Sequence, residues 1–549
     1  MASHTSQPQT TLDETKMASE IEMTKPSLEE GQHRDVNEQV SFTPDPRFER
    51  KLIRKLDLLT VPVMILIYFL SFLDRTNIGN ARLQGLQEEL GLTDRTYRIA
   101  LTVLYVPYIL LEIPSNLVLK KIGPHIFLPT LMTIWGIVAT LQVRRSFQDL
   151  MVQMLIVNQG IVKSTAGLYV NRFFLGAVEA GIVPAIILYL SMWYKRGELQ
   201  TRIGLFWGAA SLSGAIGGLL AAAISNLDGH ASLRGWSWIF IIEVTKGLTL
   251  KLPFRFHVGI FTVVCGFASF FLIAKAPETT RFLSEQEREY AVARLRHDAM
   301  HANQVTIDGV THHLVVDNSF SWKAVYSVFV DPQMYGLAVV AFSSGTLVFS
   351  QAYFLPTVIS DMKSIATTPV IAQLLTVPPY TVGVITTLIG CHYSDKYHFR
   401  YPSLAIPTLV AIIGVAIIYA TEGVGVRYFG IHLTVAGIYS SVPVYLSWGS
   451  NNFSGHYRRA TGVAAIFVFT NSGGILSTWL FRASEAPSFQ TAYIINLALL
   501  CVLLVSGTGL SLYYLRQNKI RDGFVRSGRF EEYGMDKDGD QHLFFRYVR

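Results

Sequence analysis

Twelve apolar runs, each near the length needed to cross a lipid bilayer, constrain this chain more than any other feature of its sequence. A transmembrane helix needs about 20 mostly apolar residues. The runs lie at roughly 57–74, 97–118, 125–142, 166–192, 201–224 and 258–275, and then at 333–354, 370–390, 402–420, 427–447, 462–481 and 490–514. Six runs, a long polar gap and six further runs predict an all-α membrane protein with twelve transmembrane helices arranged as two six-helix bundles.

The composition disfavours the main soluble classes of protein. Hydrophobic residues make up 50% of the chain and charged residues 15%, whereas soluble domains carry about 25% charged residues. A coiled coil, a disordered protein and a nucleic-acid-binding protein are therefore all disfavoured. Cys265, Cys391 and Cys501 are far apart and no CxxC occurs, so we expect no zinc site and no disulfide framework, and no cofactor.

The polar segments complete the predicted domain organisation. Residues 1–56 are rich in Ser, Thr, Glu and Lys, which is typical of a disordered tail. A second tail covers 515–549. Between the bundles at 57–275 and 333–514, the central loop 276–332 contains the run EREYAVARLRHD, whose spacing suits an amphipathic surface helix.

Basic residues predict the orientation in the membrane. The net charge is +7, and Lys and Arg concentrate in the two tails, the central loop and several short loops. Because cytoplasmic loops carry an excess of Lys and Arg, we expect both termini to be cytoplasmic. The positive charge then indicates orientation and not a nucleic-acid partner.

Paired glycines favour an internal repeat. Gly217 and Gly218 lie in the fifth apolar run, and Gly473 and Gly474 lie in the eleventh, which is the equivalent position in a six-plus-six repeat. Many transporters consist of two similar halves, with the binding site between them near the midplane of the bilayer. Close packing of small residues between helices explains the same glycines without a repeat.

Short basic turns supply candidate gating residues. The turn KKIGP after the second run contains Lys120 and Lys121, and the turn SDKYHFR after the eighth run contains Asp395 and Arg400. Arg459 directly precedes the eleventh run. We predict a gating or conformational role for these five residues.

Ionisable residues inside the runs are candidates for function, because each costs about 2.5–3.5 kcal/mol or more at the bilayer centre. Arg172 and Glu179 are seven positions apart, so they share one helix face at an axial separation of about 10.5 Å. Gly176 between them is expected to leave an open notch. The pair could bind a carboxylate and carry a proton, or it could be a structural charge network. Glu112 in the second run fits either a structural role or a second proton site.

Five segments, in order along the chain, resemble one known family. They are SFLDRTNIGNARLQGL, YILLEIPSNLVLKKIGP, YVNRFFLGAVEAGIVPAIILYLSMWYKRGELQTR, APETTRFLSEQER and WGSNNFSGHYRRATG. They resemble the anion:cation symporter family of the major facilitator superfamily, in the branch of fungal allantoate and nicotinate permeases. The resemblance implies the major facilitator fold, no enzyme activity, and proton-coupled uptake of a small organic anion by alternating access. A nicotinate-like monocarboxylate is the predicted substrate, and allantoate, pantothenate, biotin or another organic anion are the alternatives.

The resemblance also implies substrate-binding residues. Arg75 before Asn77, and Arg172 in the fourth run, match positions of distant animal members of the family. Arg75 and Arg172 are therefore expected to attract the carboxylate, and Asn77 and Gln351 are further candidate ligands. A histidine and an arginine of those animal carriers are missing here, so their substrate chemistry does not transfer.

Coupling and gating roles follow from the same resemblance. Glu179 is expected to take the proton, with Glu112 as its helper. Protonation of Glu179 would then release Arg172 toward the substrate. Asp74 joins the gating candidates, at the point where the first helix is expected to end.

Two stretches interrupt the family pattern, at 143–159 and 244–258. Each begins with Val, whose codons start with GT as intron donors do, and removing each restores a typical run. We predict retained introns in the gene model, with real outer-loop insertions as the alternative. The exact chain would then be an inactive product. A non-transporting nutrient sensor is a further alternative, which the short polar tails disfavour.

The expected setting is the plasma membrane. We predict a multi-pass monomer whose partners are the lipid bilayer, protons and the organic anion.

Overall fold

The apolar runs form long α-helices in this computed structural model. The structure describes residues 45–141, 165–224, 258–302, 304–307, 310–313, 321–397, 399–529, 533 and 539–548. The helices before the central loop are α1 (Pro46–Leu83), α2 (Leu86–Glu89), α3 (Asp94–Ile122), α4 (Pro124–Leu141), α5 (Thr165–Glu179), α6 (Ile182–Ser191), α7 (Leu199–Ile224) and α8 (Val258–Leu272). The later helices are α9 (Glu285–Ala302), α10 (Trp322–Val330), α11 (Pro332–Ser360), α12 (Pro369–Leu374), α13 (Val377–Tyr397), α14 (Tyr401–Ala420), α15 (Val424–Asn452), α16 (His456–Leu480) and α17 (Gln490–Ser527). We refer to α1–α8 as the N-terminal helices and to α11–α17 as the C-terminal helices.

Some of the predicted segments lie outside the described residues. These are residues 1–44 of the N-terminal tail, the stretch 143–159, and 244–257 of the second interrupting stretch. The last residue of that second stretch, Val258, begins α8. The described residues from Arg47 to Arg549 form one compact unit.

Capping residues explain where several helices begin. The Thr93 hydroxyl accepts a hydrogen bond from the Thr96 N–H at 3.2 Å, at the start of α3. Asp331 accepts one from the Gln333 N–H at 3.1 Å, with Pro332 as the first residue of α11. Side-chain oxygens before a helix satisfy N–H groups that have no partner within it, and proline fits the first helical position.

Ten of the described helical stretches are long and apolar enough to cross a membrane. They coincide with ten of the twelve predicted runs. The other two runs correspond to shorter apolar helices, Pro124–Val138 and Thr262–Leu272, which lie near residues outside the described ranges. The prediction of a helical, multi-pass membrane protein is confirmed by these spans.

Two elements differ from the sequence prediction. Helix α1 begins at Pro46, inside the range assigned to the tail, and continues to Leu83. The expectation that the first helix ends at Asp74 and Arg75 is therefore wrong. In the central loop, the strands β1 (Gln304–Ile307) and β2 (Val310–His313) pair antiparallel, which adds a short hairpin to the helical fold.

The central loop also contains the predicted surface helix, α9. Its Arg294 is fully buried and donates hydrogen bonds to Glu198 at 2.8 Å and to the Trp193 carbonyl at 3.2 Å. This packing fixes α9 against the loop between α6 and α7. That loop lies at the end of the bundle where α1 begins and α17 ends, which we call the tail end. The opposite end is the far end.

One glycine of each pair lies where the N-terminal and C-terminal helices meet. A Cβ atom at Gly218 of α7 would lie 2.7 Å from the Gln373 carbonyl oxygen of α12. A Cβ atom at Gly474 of α16 would lie 2.9 Å from the Tyr105 hydroxyl of α3. Glycines at equivalent positions thus allow the N-terminal and C-terminal helices to pack closely. Both explanations of the paired glycines, an internal repeat and small-residue packing, predict such a contact.

Candidate functional site

The fourth span is broken at its centre. Helix α5 ends at Glu179 and α6 begins at Ile182. Between them Gly181 adopts φ +87°, a left-handed conformation that favours glycine, and a Cβ atom there would collide with the Ser115 hydroxyl of α3. The sequence predicts one continuous helix over 166–192, whereas the structure places the Glu179 side chain directly at a break.

Glu179 forms a buried ion pair with Arg75 of α1. The carboxylate oxygen Oε2 lies 2.7 Å from Nε and 2.6 Å from Nη2 of Arg75. Glu179 is 0% exposed and Arg75 is 5% exposed. Charges removed from water need a paired partner, so each of these side chains stabilises the ionised form of the other.

Arg172 is buried but lacks such a partner among the described residues. It is 1% exposed, and its Nε and Nη2 make no hydrogen bond there. The open notch expected at Gly176 is wrong, because a Cβ atom at Gly176 would collide with the Leu104 carbonyl of α3. The glycine allows α3 and α5 to touch. The ion pair of Glu179 is therefore with Arg75 and not with the arginine on its own helix.

Aromatic rings surround the Arg75 guanidinium. Its central carbon lies 4.7 Å from the ring centre of Tyr108 and 5.8 Å from that of Phe349 on α11. The Tyr105 and Tyr353 hydroxyls lie 2.7 Å apart and join α3 to α11 beside it. Sequence reasoning missed these four aromatic residues, although the i, i+4 spacing of Phe349 and Tyr353 places both on one helix face.

The other binding candidates face different neighbours. Asn77 lies at the contact of α1 with α7, where a Cβ atom at Gly217 would be 3.6 Å from its Oδ1. Gln351 is 7% exposed, and its backbone carbonyl accepts a hydrogen bond from the Tyr380 hydroxyl at 3.2 Å.

Glu112 contacts the same break as Glu179, from the neighbouring helix α3. It is 0% exposed, and its Oε2 accepts a hydrogen bond from the Gly181 N–H at 3.3 Å. That N–H lies at the N-terminal end of α6, where a carboxylate is also favoured by the helix dipole. Glu112 thus holds the break in place, because the N–H that it accepts belongs to the second residue after Glu179.

Asp74 lies beside the central charges. It is 8% exposed, and its charge interacts with both Glu179 and Arg172. Since α1 continues past it, Asp74 is placed inside the span and not at a helix end.

Two other gating candidates, Asp395 and Arg400, form a cluster at the tail end. Asp395 accepts hydrogen bonds from both the N–H and the hydroxyl of Thr201, each at 2.6 Å. Arg400 donates to Asp395 at 3.0 Å and also to Gln200. We call Gln200, Thr201, Asp395 and Arg400 the tail-end cluster. It joins the first turn of α7 to the turn between α13 and α14, and sequence reasoning missed Gln200.

Lys120 and Arg459 lie at a second contact of the tail end. The Lys120 ammonium lies 3.6 Å from the ring centre of Tyr457, and Arg459 donates to the Phe453 carbonyl at 3.4 Å. The end of α3 thus meets the start of α16. Lys121 is exposed.

Contacts at the far end join the same two sets of helices. The Thr102 and Thr478 hydroxyls lie 2.9 Å apart, and Gln84 donates to Gln373 at 3.4 Å. With contacts at both ends, the central charges lie in an occluded arrangement. Such an arrangement suits a solute that passes through the middle of the bundle by alternate opening of the two ends.

Comparison with known proteins agrees with this fold. An uncharacterised transporter of Schizosaccharomyces pombe is 30% identical over 499 residues, which cover 90% of each chain. The high-affinity nicotinic acid transporter of Saccharomyces cerevisiae is 29% identical over 503 residues, which cover 91% of this chain and 84% of that protein.

A solved structure shares the fold. The proton:xylose symporter XylE bound to 6-bromo-6-deoxy-D-glucose has a TM-score of 0.58 at 13% identity, covering 83% of this chain and 95% of that one.

Residues 64–478 match the family described as Major Facilitator Superfamily. The chain therefore belongs to the major facilitator superfamily, as a multi-pass membrane transporter.

Proposed function

We propose that this transporter is a proton-coupled symporter of a small organic anion, with a nicotinate-like monocarboxylate as substrate. The observation that carries the proposal is the Glu179–Arg75 ion pair at the break of the fourth span, together with the buried Arg172 guanidinium, whose Nε and Nη2 make no hydrogen bond among the described residues. These two Arg172 donors are available to a further carboxylate, supplied by the substrate.

Proton coupling follows from competition for Arg75. While Glu179 is ionised, it occupies the guanidinium. Protonation removes its charge and weakens the pair, so a substrate carboxylate can replace it on Arg75 and reach Arg172. From the sequence alone, Arg172 is the arginine that this step is expected to release, whereas the Glu179–Arg75 ion pair favours the release of Arg75.

The aromatic surroundings support a flat aromatic acid. Tyr108 and Phe349 already lie against the planar Arg75 guanidinium, and offset stacking favours a further ring in such a place. The similarity to a protein named as a nicotinic acid transporter points the same way.

The wider organisation is part of the proposal. The bundles at 57–275 and 333–514 move against each other, and the central loop 276–332, both termini and the tail end face the cytoplasm. The protein acts as a monomer in the plasma membrane. Asp74, Lys120, Lys121, Asp395, Arg400 and Arg459 stabilise its closed states.

Uptake measurements test this function. The chain is expressed in cells that lack an endogenous permease for these acids. Uptake of radiolabelled nicotinate, allantoate, pantothenate or biotin is measured at external pH 5 and pH 7. We expect nicotinate uptake that is faster at pH 5 and that collapses when a protonophore removes the gradient. Uptake of another acid in its place would contradict the substrate, and uptake insensitive to the gradient would contradict proton coupling.

A further inference from the structure

The segment Gly539–Val548 is held at the tail end through a buried carboxylate. Asp540 is 0% exposed. Its Oδ2 accepts hydrogen bonds from Gln333 at 3.0 Å and from Arg458 at 3.1 Å, and its Oδ1 accepts one from the Ser454 N–H at 3.3 Å. These donors belong to α11, to α16 and to the turn before α16. A buried carboxylate with this many donors indicates a specific binding site and not a casual contact.

Side chains of the bundle also bind the backbone of the segment. Asn452 donates to the Val548 carbonyl at 3.0 Å and accepts from the Val548 N–H at 2.7 Å. Asn518 forms the same pair of hydrogen bonds with Tyr547, both at 2.9 Å. Arg521 donates to the Phe545 carbonyl at 2.8 Å. These hydrogen bonds to Phe545, Tyr547 and Val548 therefore dock the end of the segment in one register.

Aromatic packing completes the docking. The Tyr547 ring stacks on Tyr514 at 4.9 Å, and Tyr514 in turn contacts Trp448 at 5.9 Å. Phe545 is 0% exposed. The sequence HLFFRYV is thus buried in a part of the chain that the composition assigned to a polar tail.

The docked segment also reaches the N-terminal helices. The Arg196 guanidinium, in the loop between α6 and α7, lies 6.0 Å from the ring centre of Phe545. The carbonyl of the same Arg196 accepts a hydrogen bond from Arg400 at 3.2 Å. Phe545 therefore lies against the loop that the tail-end cluster holds.

We propose that Gly539–Val548 is an intramolecular lock on the tail end. While it is docked on the C-terminal helices, Phe545 retains the α6–α7 loop and keeps this end closed. Opening requires the loop to leave Phe545, so undocking of the segment favours the state open at the tail end. The proposal rests on alternating access in a transporter of this fold, and it is independent of the substrate and of proton coupling.

A native cysteine reports on this opening. Cys391 of α13 is buried against α7, where a Cβ atom at Gly204 would lie 2.8 Å from its Cβ. Separation of α7 from α13 exposes its thiol to water. In a Cys265→Ser/Cys501→Ser background, the rate of labelling by a water-soluble maleimide added from the tail-end side measures the open population.

The variants are Asp540→Ala, Phe545→Ala and deletion of residues 539–549, each made in the otherwise complete chain. Loss of charge-assisted hydrogen bonds on this scale shifts a two-state equilibrium by about tenfold or more. We expect each variant to label about tenfold faster than the parent. Gln541→Ala is the matched control, because Gln541 is exposed in the same segment, and its rate should equal that of the parent.

A peptide of residues 539–549 separates release of the lock from damage to the fold. Added to the deletion variant, the peptide should restore slow labelling, and a scrambled peptide should not. Parent-like rates in Asp540→Ala and Phe545→Ala would overturn the proposal. Fast labelling of the deletion variant that the peptide leaves unchanged would overturn it as well.

Discussion

A single carboxylate oxygen joins Glu179 to Arg75, with Oε2 at 2.7 Å from Nε and 2.6 Å from Nη2. The pair connects α1 to the residue at which α5 ends. Any event that neutralises Glu179 therefore changes both the charge available to a substrate and the contact that holds the first span against the fourth.

The two central arginines should differ in their effect on stability. Arg75→Ala leaves Glu179 buried without its partner, so we expect the free energy of unfolding to fall by about 3–5 kcal/mol. Arg172→Ala removes a guanidinium that has no hydrogen bond from Nε or Nη2 among the described residues, and should cost less. Thermal unfolding of both variants in detergent measures the difference.

The control is the double variant Arg75→Ala/Glu179→Gln, which removes both charges of the pair. It should recover much of the stability lost in Arg75→Ala. Equal stability of the single and double variants would mean that the ion pair does not hold the fold in this way.

The contribution of Glu112 to stability should depend on the side-chain oxygen that accepts the Gly181 N–H. Glu112→Gln retains an oxygen that can accept the Gly181 N–H, so we expect stability within about 1 kcal/mol of the parent. Glu112→Leu leaves that N–H without its acceptor and should lower stability by about 1–3 kcal/mol. If Glu112→Gln unfolds as readily as Glu112→Leu, the charge matters and not the hydrogen bond.

Docking of the C-terminal segment should depend on pH. Burial raises the pKa of Asp540 from 3.8 to about 6, with repulsion from Asp331 adding to burial and attraction to Arg458 opposing it. The docked carboxyl binds its proton more tightly than the undocked one. Docking is therefore strongest below pH 3.8 and weakens as the pH rises through 6.

The measurement is the ratio of Cys391 labelling rates in the deletion variant and the parent, which cancels the reactivity of the thiol itself. This ratio should be about tenfold larger at pH 5 than at pH 7. The pH dependence should disappear in Asp540→Asn. A ratio that is the same at both pH values would contradict the assignment of the titration to Asp540.

Much of the helical fold can be predicted from the sequence, because a span needs only length and low polarity. The runs at 333–354 and 427–447 match α11 and α15 closely, and the charged run beginning at Glu287 matches α9. The hairpin at Gln304–His313 is too short, and the helical extension from Pro46 too charged, for a search for apolar spans to predict them.

The pairing at the site is harder to predict. The rise per residue of a helix correctly predicts that Arg172 is too far from Glu179 to pair with it. It does not predict which neighbouring helix supplies the partner of Glu179, which is Arg75 of α1. The break at Gly181 depends on contact with Ser115 of another helix. In the C-terminal tail, the apolar residue Phe545 can be seen in the sequence. Its burial cannot be predicted, because it depends on a binding site formed by helices distant in the sequence.

Two transport modes of the Glu179→Gln variant test whether Glu179 carries the coupled proton. This variant mimics the protonated state, so Arg75 is permanently released toward the substrate. We predict that it exchanges labelled for unlabelled nicotinate across proteoliposome membranes, yet fails to accumulate nicotinate in response to a pH gradient. Proton-driven accumulation at the parent's level by Glu179→Gln would contradict the account.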